Sequence, residues 1–143
     1  MKITVLGKEM EKPINIFEMI NALILKAKEN TLSCCARFPP QLKDIVQKKT
    51  CEYRKDGNAC FIGQFLDDGI GGLDYFASIE DMIGDEDLSW SEYFKDFNRQ
   101  TLMDLQSIHD DIPDEMAKED PSIQSKHYLE KLIEFKEELK SVL

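Results

Sequence analysis

The first residues alternate. Ile3 and Val5 stand on one side and Lys2 and Thr4 on the other, the period of a short β-strand that Gly7 ends. Pro13 then opens a helix, with Phe17, Ile20, Leu23, Ile24 and Ala27 on one face and Asn30 as its stop. Thr31 to Pro40 reads as loop, because Pro39 and Pro40 exclude a regular helix. Leu42, Ile45 and Val46 give residues 41–48 the spacing of a short helix. A β-hairpin over about 51–62 follows: Cys51 to Arg54 and Ala59 to Ile62 as strands, joined across Asp56-Gly57. A short helical turn is expected at Gln64 to Leu66, then a glycine-rich connection through Gly69, Gly71 and Gly72.

Ser78 and Asp81 have the spacing of a helix-opening capping box, and Gly84 would close that brief helix. Trp90, Tyr93, Phe94 and Phe97 form an aromatic cluster that reads as a packing surface, since base stacking needs more interleaved basic residues. Leu102, Leu105 and Ile108 mark a helix over Thr101 to Asp110, ended by Pro113. The last helix starts at Pro121-Ser122 and repeats Tyr128, Leu132, Phe135, Leu139 and Val142 at alternating spacings of four and three. Leu129 and Ile133 broaden that stripe, which suits packing on a core better than a coiled-coil seam. The expected fold is α+β and mainly helical. It is one compact domain over 1–143 with a short N-terminal strand, a small hairpin and a long C-terminal helix.

Composition narrows the class. The 143 residues, 42% hydrophobic and 32% charged, belong to a globular chain that needs neither disulfides nor metal to fold. No apolar run reaches the roughly 18 residues that cross a bilayer, and the start lacks the order of a signal peptide. No membrane association and a cytoplasmic setting are expected. The net charge of -10 is uneven: residues 67–120 hold 17 of the 28 acidic residues against only Lys95, Arg99 and Lys118. Phosphate binding needs clustered cations, so this segment should make no direct contact with nucleic acid. It reads either as a solvated surface or as a face for a basic partner.

Groups that carry chemistry are few. Cys34, Cys35, Cys51 and Cys60 form no pair of C-x-x-C knuckles, so a four-thiolate zinc site is not supported. Cys51 and Cys60 flank the hairpin, where a thiol pair, two metal ligands or simple packing all remain open. His109 lies near a helix end beside Asp110, and His127 lies beside the apolar stripe of the last helix. A Ser-His-Asp assembly has no nucleophile-elbow motif behind it. The acidic groups Asp67, Asp68, Asp74 and Asp85, Glu86, Asp87 do not match an EF-hand. No cofactor is expected, and no complete catalytic constellation can be assembled.

One resemblance adds to this. Cys51-Glu52-Tyr53-Arg54, then Gly57 to Gly63, read C-x-Y-R…G-x-x-C-x-I-G, and Leu105 to Asp110 read L-Q-x-I-H-D. This order resembles a loose group of small uncharacterised proteins of bacteriophages, prophages and bacteria, over residues 51–111. Leu66-Asp67-Asp68 stands where that group has Pro-Asp. The resemblance implies a mobile-element setting and raises Cys51, Tyr53, Arg54, Gly57, Cys60, Gly63, His109 and Asp110 as motif positions; it implies no activity, and a structural role, hairpin geometry with a histidine packed on the hairpin, stays open. Two functions follow as expectations. One is a non-enzymatic interaction module that meets a basic protein surface through Asp85, Glu86, Asp87 and Glu92, with Trp90, Tyr93 and Phe94 as anchors. Inhibition of a host nucleic-acid-handling or defence protein is its specific form. The other is a metal-, thiol- or small-ligand-binding protein using Cys51, Cys60 and His109.

Overall fold

The computed structural model of the chain describes residues 1–32, 54–55, 58–73, 78–117 and 120–142. The expected helix over 41–48 and the motif residues Cys51, Tyr53 and Gly57 lie outside the described residues.

The chain opens with a hairpin, not a lone strand. β1 (Lys2–Val5) pairs antiparallel with β2 (Lys8–Glu11), Ile3 facing Met10 and Val5 facing Lys8. Leu6 (φ 51°) and Gly7 (φ 81°) form the link, the left-handed pair that a tight two-residue hairpin turn requires. Gly7 is thus the turn inside a sheet. β2 escapes a reading by alternation because Met10 is its sole apolar residue.

α1 spans Ile16–Lys28, starting after Pro13 rather than at it. Asn15 is the cap, its side-chain oxygen accepting from the Glu18 N–H at 2.9 Å. The buried face is Met19, Ile20, Leu23 and Ala27. The expected stop is where the sequence puts it: Asn30 adopts φ 59°, and Thr31 N–H closes on the Lys26 carbonyl at 2.9 Å.

A second hairpin is short. β3 (Arg54–Lys55) pairs antiparallel with β4 (Asn58–Ala59). The strand expected to continue to Ile62 stops at Ala59, and a single 3-10 turn follows at Gly63–Phe65. Every residue from Ala59 to Leu66 is buried, which a strand with one wet face cannot achieve. The coiled path satisfies its own backbone instead, with Gln64 N–H on the Cys60 carbonyl (3.1 Å) and Phe65 N–H on that of Ile62 (3.0 Å).

Helices complete the fold: α2 (Ile79–Gly84), α3 (Trp90–Tyr93), α4 (Arg99–Asp110), α5 (Asp114–Ala117) and α6 (Pro121–Val142). Ser78 caps α2 through the Asp81 N–H, as its spacing predicts. Asn98 caps α4 and Asp120 holds the first turn of α6, accepting from Ser122 and Ile123 N–H. A bond from the Ser122 hydroxyl to the same oxygen, and then that from Ile123 N–H, holds the Asp120 carboxyl below the usual carboxylate range. On α6, Tyr128, Leu132 and Phe135 are buried as expected, whereas Val142 is 77% exposed. The long helix packs mainly on α1. Buried Ser125 fastens the pair at one end, accepting from Leu32 N–H at 3.0 Å and donating to its carbonyl. One hydrophobic cluster joins α1, the turn after β4, α2, α3, α4 and α6.

Candidate functional site

The acidic segment divides into two sets of carboxylates. Asp67, half-buried, and Asp68, at the surface, turn toward the first hairpin. Asp67 Oδ1 accepts from Thr4 N–H (2.9 Å), and its Oδ2 from Gly69 N–H (3.0 Å). Asp68 accepts from Leu6 N–H (2.9 Å) and Gly7 N–H (3.0 Å), while its own N–H donates to the Thr4 carbonyl at 2.7 Å. These two residues therefore dock the β1–β2 turn on the body. Carboxylates whose oxygens serve backbone donors in this way make a poor calcium cage. Among the described residues no group of three or more His, Cys, Asp or Glu side chains is arranged to hold a metal ion.

The second set sits at the corner between α2 and α3. Glu86, Asp87 and Glu92 are exposed, and so are Glu80 and Asp81 on α2. Asp85 is half-buried and closes the turn by accepting from Asp87 N–H at 2.8 Å. Among the described residues the one cation paired with this corner is Lys95, 2.9 Å from Glu92.

Beneath these carboxylates the aromatic residues point inward. Trp90 is 0% exposed and donates its indole N–H to the Gly71 carbonyl at 2.7 Å. Phe94 is 3% exposed and sits edge-on to Trp90, Tyr93 and Phe97. This corrects the expectation of surface anchors: Trp90 and Phe94 are core, and they hold the corner from inside. Tyr93 is half-buried, its hydroxyl bound to the Phe65 carbonyl at 2.5 Å. Its ring carries Lys12 Nζ at 3.9 Å from the centroid, and Nζ also donates to the Tyr93 carbonyl. Burial lowers the Lys12 pKa, against the pull of Asp96. Lys12, Tyr93 and Phe97 line a cleft of about 390 Å³ between the first hairpin and α3.

The motif positions meet in the interior. Gln106 on α4 accepts from Ile62 N–H and donates to Asp110 Oδ1, both at 3.3 Å. His109 is completely buried, with Nδ1 2.9 Å from Asp110 Oδ1. The tautomer with its proton on Nδ1 can donate to this oxygen. The imidazole stacks on Tyr128 (centroids 5.8 Å apart, planes 7°) and meets the edge of Phe61 at 5.1 Å. Tyr128 hydroxyl donates to the His109 carbonyl at 2.9 Å. Cys60 is buried, its Sγ accepting from Gly63 N–H at 3.3 Å. The two halves of the motif thus touch, through Gln106 on Ile62 and His109 on Phe61, in a setting of packing and backbone support. Arg54 belongs to β3.

A further cleft, which the sequence did not announce, lies between α4 and α6. It is a groove of about 480 Å³, half open to solvent, lined by Ser107, Ile108, Asp111, Pro113, His127 and Lys131. Ser107 hydroxyl turns back to the Met103 carbonyl at 3.0 Å, so no nucleophile is aimed at His127. Burial, and then Lys131, lowers the His127 pKa, which favours its neutral form. The signal for this site was helical spacing: 107 with 111 and 127 with 131 share faces.

Among the described residues no helix is long and apolar enough to cross a membrane. No protein-family model, no curated protein and no solved structure matches the chain.

Proposed function

We propose that this protein is a non-enzymatic interaction module whose partner presents a basic protein surface. The observation that carries this reading is the α2–α3 corner, where Glu86, Asp87 and Glu92 stand exposed on a turn braced from below by buried Trp90 and Phe94. Preorganised charge of one sign speeds encounter with the opposite sign and selects against phosphate. A groove in which another protein holds nucleic acid is such an opposite surface. Inhibition of a nucleic-acid-handling or defence protein is the form we favour, in the phage or prophage setting that the hairpin motifs imply. The other reading, a metal, thiol or small ligand held by Cys51, Cys60 and His109, has less support, because Cys60 and His109 are closed off from solvent.

The test compares wild-type protein with the triple variant Glu86→Lys, Asp87→Lys, Glu92→Lys as immobilised bait in bacterial extract. A nucleic-acid-handling protein that elutes with salt, and is lost on reversal while the thermal transition stays in place, supports the reading. Equal capture by both baits overturns it.

A further inference from the structure

The α4–α6 cleft combines features that the acidic corner lacks. Ser107 and Asp111 lie four residues apart on and just beyond α4, and His127 and Lys131 lie four apart on α6, so each pair lines one wall. The walls carry opposite charge, yet Asp111 and Lys131 form no ion pair with each other: the ion pair that Lys131 makes is with Glu134, on its own helix, at 3.8 Å. Asp111 makes no side-chain ion pair among the described residues, and His127 makes no side-chain hydrogen bond among them; its ring contact is an edge-on meeting with Tyr128 at 5.7 Å. Half-buried Ile108 and exposed Pro113 supply the apolar part of the lining. The volume falls within the range of small-molecule sites, and a few polar groups beside apolar surface are their usual lining.

We infer that this cleft binds a small zwitterion of the amino-acid class, its carboxylate toward Lys131 and His127, its ammonium toward Asp111, and an aliphatic side chain on Ile108 and Pro113. An anion alone would face Asp111, and a cation alone would face Lys131; a ligand bearing both charges answers both walls. The neutral imidazole of His127 serves as a hydrogen-bond donor to the ligand carboxylate without adding charge. This site is independent of the acidic corner, and either can fail without the other.

The test is a titration of the full chain with L-leucine, followed by amide and His127 ring resonances. 4-Methylpentanoate, which lacks the ammonium, and 3-methylbutylamine, which lacks the carboxylate, serve as arms. The expected result is a saturating shift confined to the residues of the cleft below about 10 mM leucine, with each analogue about tenfold weaker. Asp111→Asn and Lys131→Met should each weaken leucine about tenfold while leaving amides of the core unmoved. Both side chains lie on the surface, so folding is not at stake. Shifts that stay linear to about 10 mM, or an analogue that binds as well as leucine, overturn the inference.

Discussion

Asp67 and Asp68 on one side, and Glu86, Asp87 and Glu92 on the other, belong to the same acidic stretch and use their charge in opposite ways. The first two turn their oxygens to backbone N–H groups of the first hairpin. The other three face solvent, with Lys95 on Glu92 as their one ion pair among the described residues. Net charge per segment does not separate these roles. What separates them is whether an unsatisfied donor lies within reach, and the β1–β2 turn offers several. An acidic segment is therefore part scaffold and part surface, and only the surface part is available to a partner.

Three variants sharpen the contrast. The largest effect is expected for Trp90→Ala, which opens a cavity under the corner and strands the Gly71 carbonyl. A loss of about 3–5 kcal/mol in urea unfolding is the expected outcome. A loss under about 1 kcal/mol would mean that the corner is not braced from inside. Next, the double variant Asp67→Ala, Asp68→Ala removes the side-chain hydrogen bonds that dock the first hairpin and leaves the Asp68 N–H on the Thr4 carbonyl. We expect about 2 kcal/mol, discounted because Asp68 is exposed, together with faster hydrogen exchange at Thr4, Leu6 and Gly7. Unchanged exchange at those three amides would sink the docking role. The smallest effect belongs to Glu86→Ala with Asp87→Ala, which should stay within about 0.5 kcal/mol of wild type. A larger destabilisation would place these residues with Asp67 and Asp68 as scaffold.

Local signals carried over well. Asn30 stops α1, Ser78 caps α2 through Asp81, and the run from Pro121 is one long helix, because each depends on residues within a turn of one another. The α+β, mainly helical class follows from the same periodicities. The candidate site was less legible. Trp90 and Phe94 read equally as anchors or as core, since an aromatic side chain suits both places and its direction depends on neighbours distant in sequence. The strand beyond Ala59 failed for a related reason: Cys60 to Leu66 is buried throughout, with α4 against it at Ile62, so it has no wet face to impose alternation.

Motif positions tell the same story. The sequence places Cys60 in G-x-x-C-x-I-G and His109 and Asp110 in L-Q-x-I-H-D, but does not say whether they face a ligand or one another. The folded chain brings Gln106 to Ile62 and His109 between Phe61 and Tyr128, where the groups satisfy each other. Likewise His127 and Lys131 are merely helix residues until α4 brings Asp111 opposite them. By itself the sequence determined the main helices α1, α2, α4 and α6, the Ser78 cap and the concentration of acid in the middle of the chain, because backbone sterics and short-range hydrogen bonds act within a few residues. The tertiary structure alone decided which carboxylates became scaffold, which aromatics became core and which charges came to face each other, because burial and desolvation are properties of the assembled surfaces.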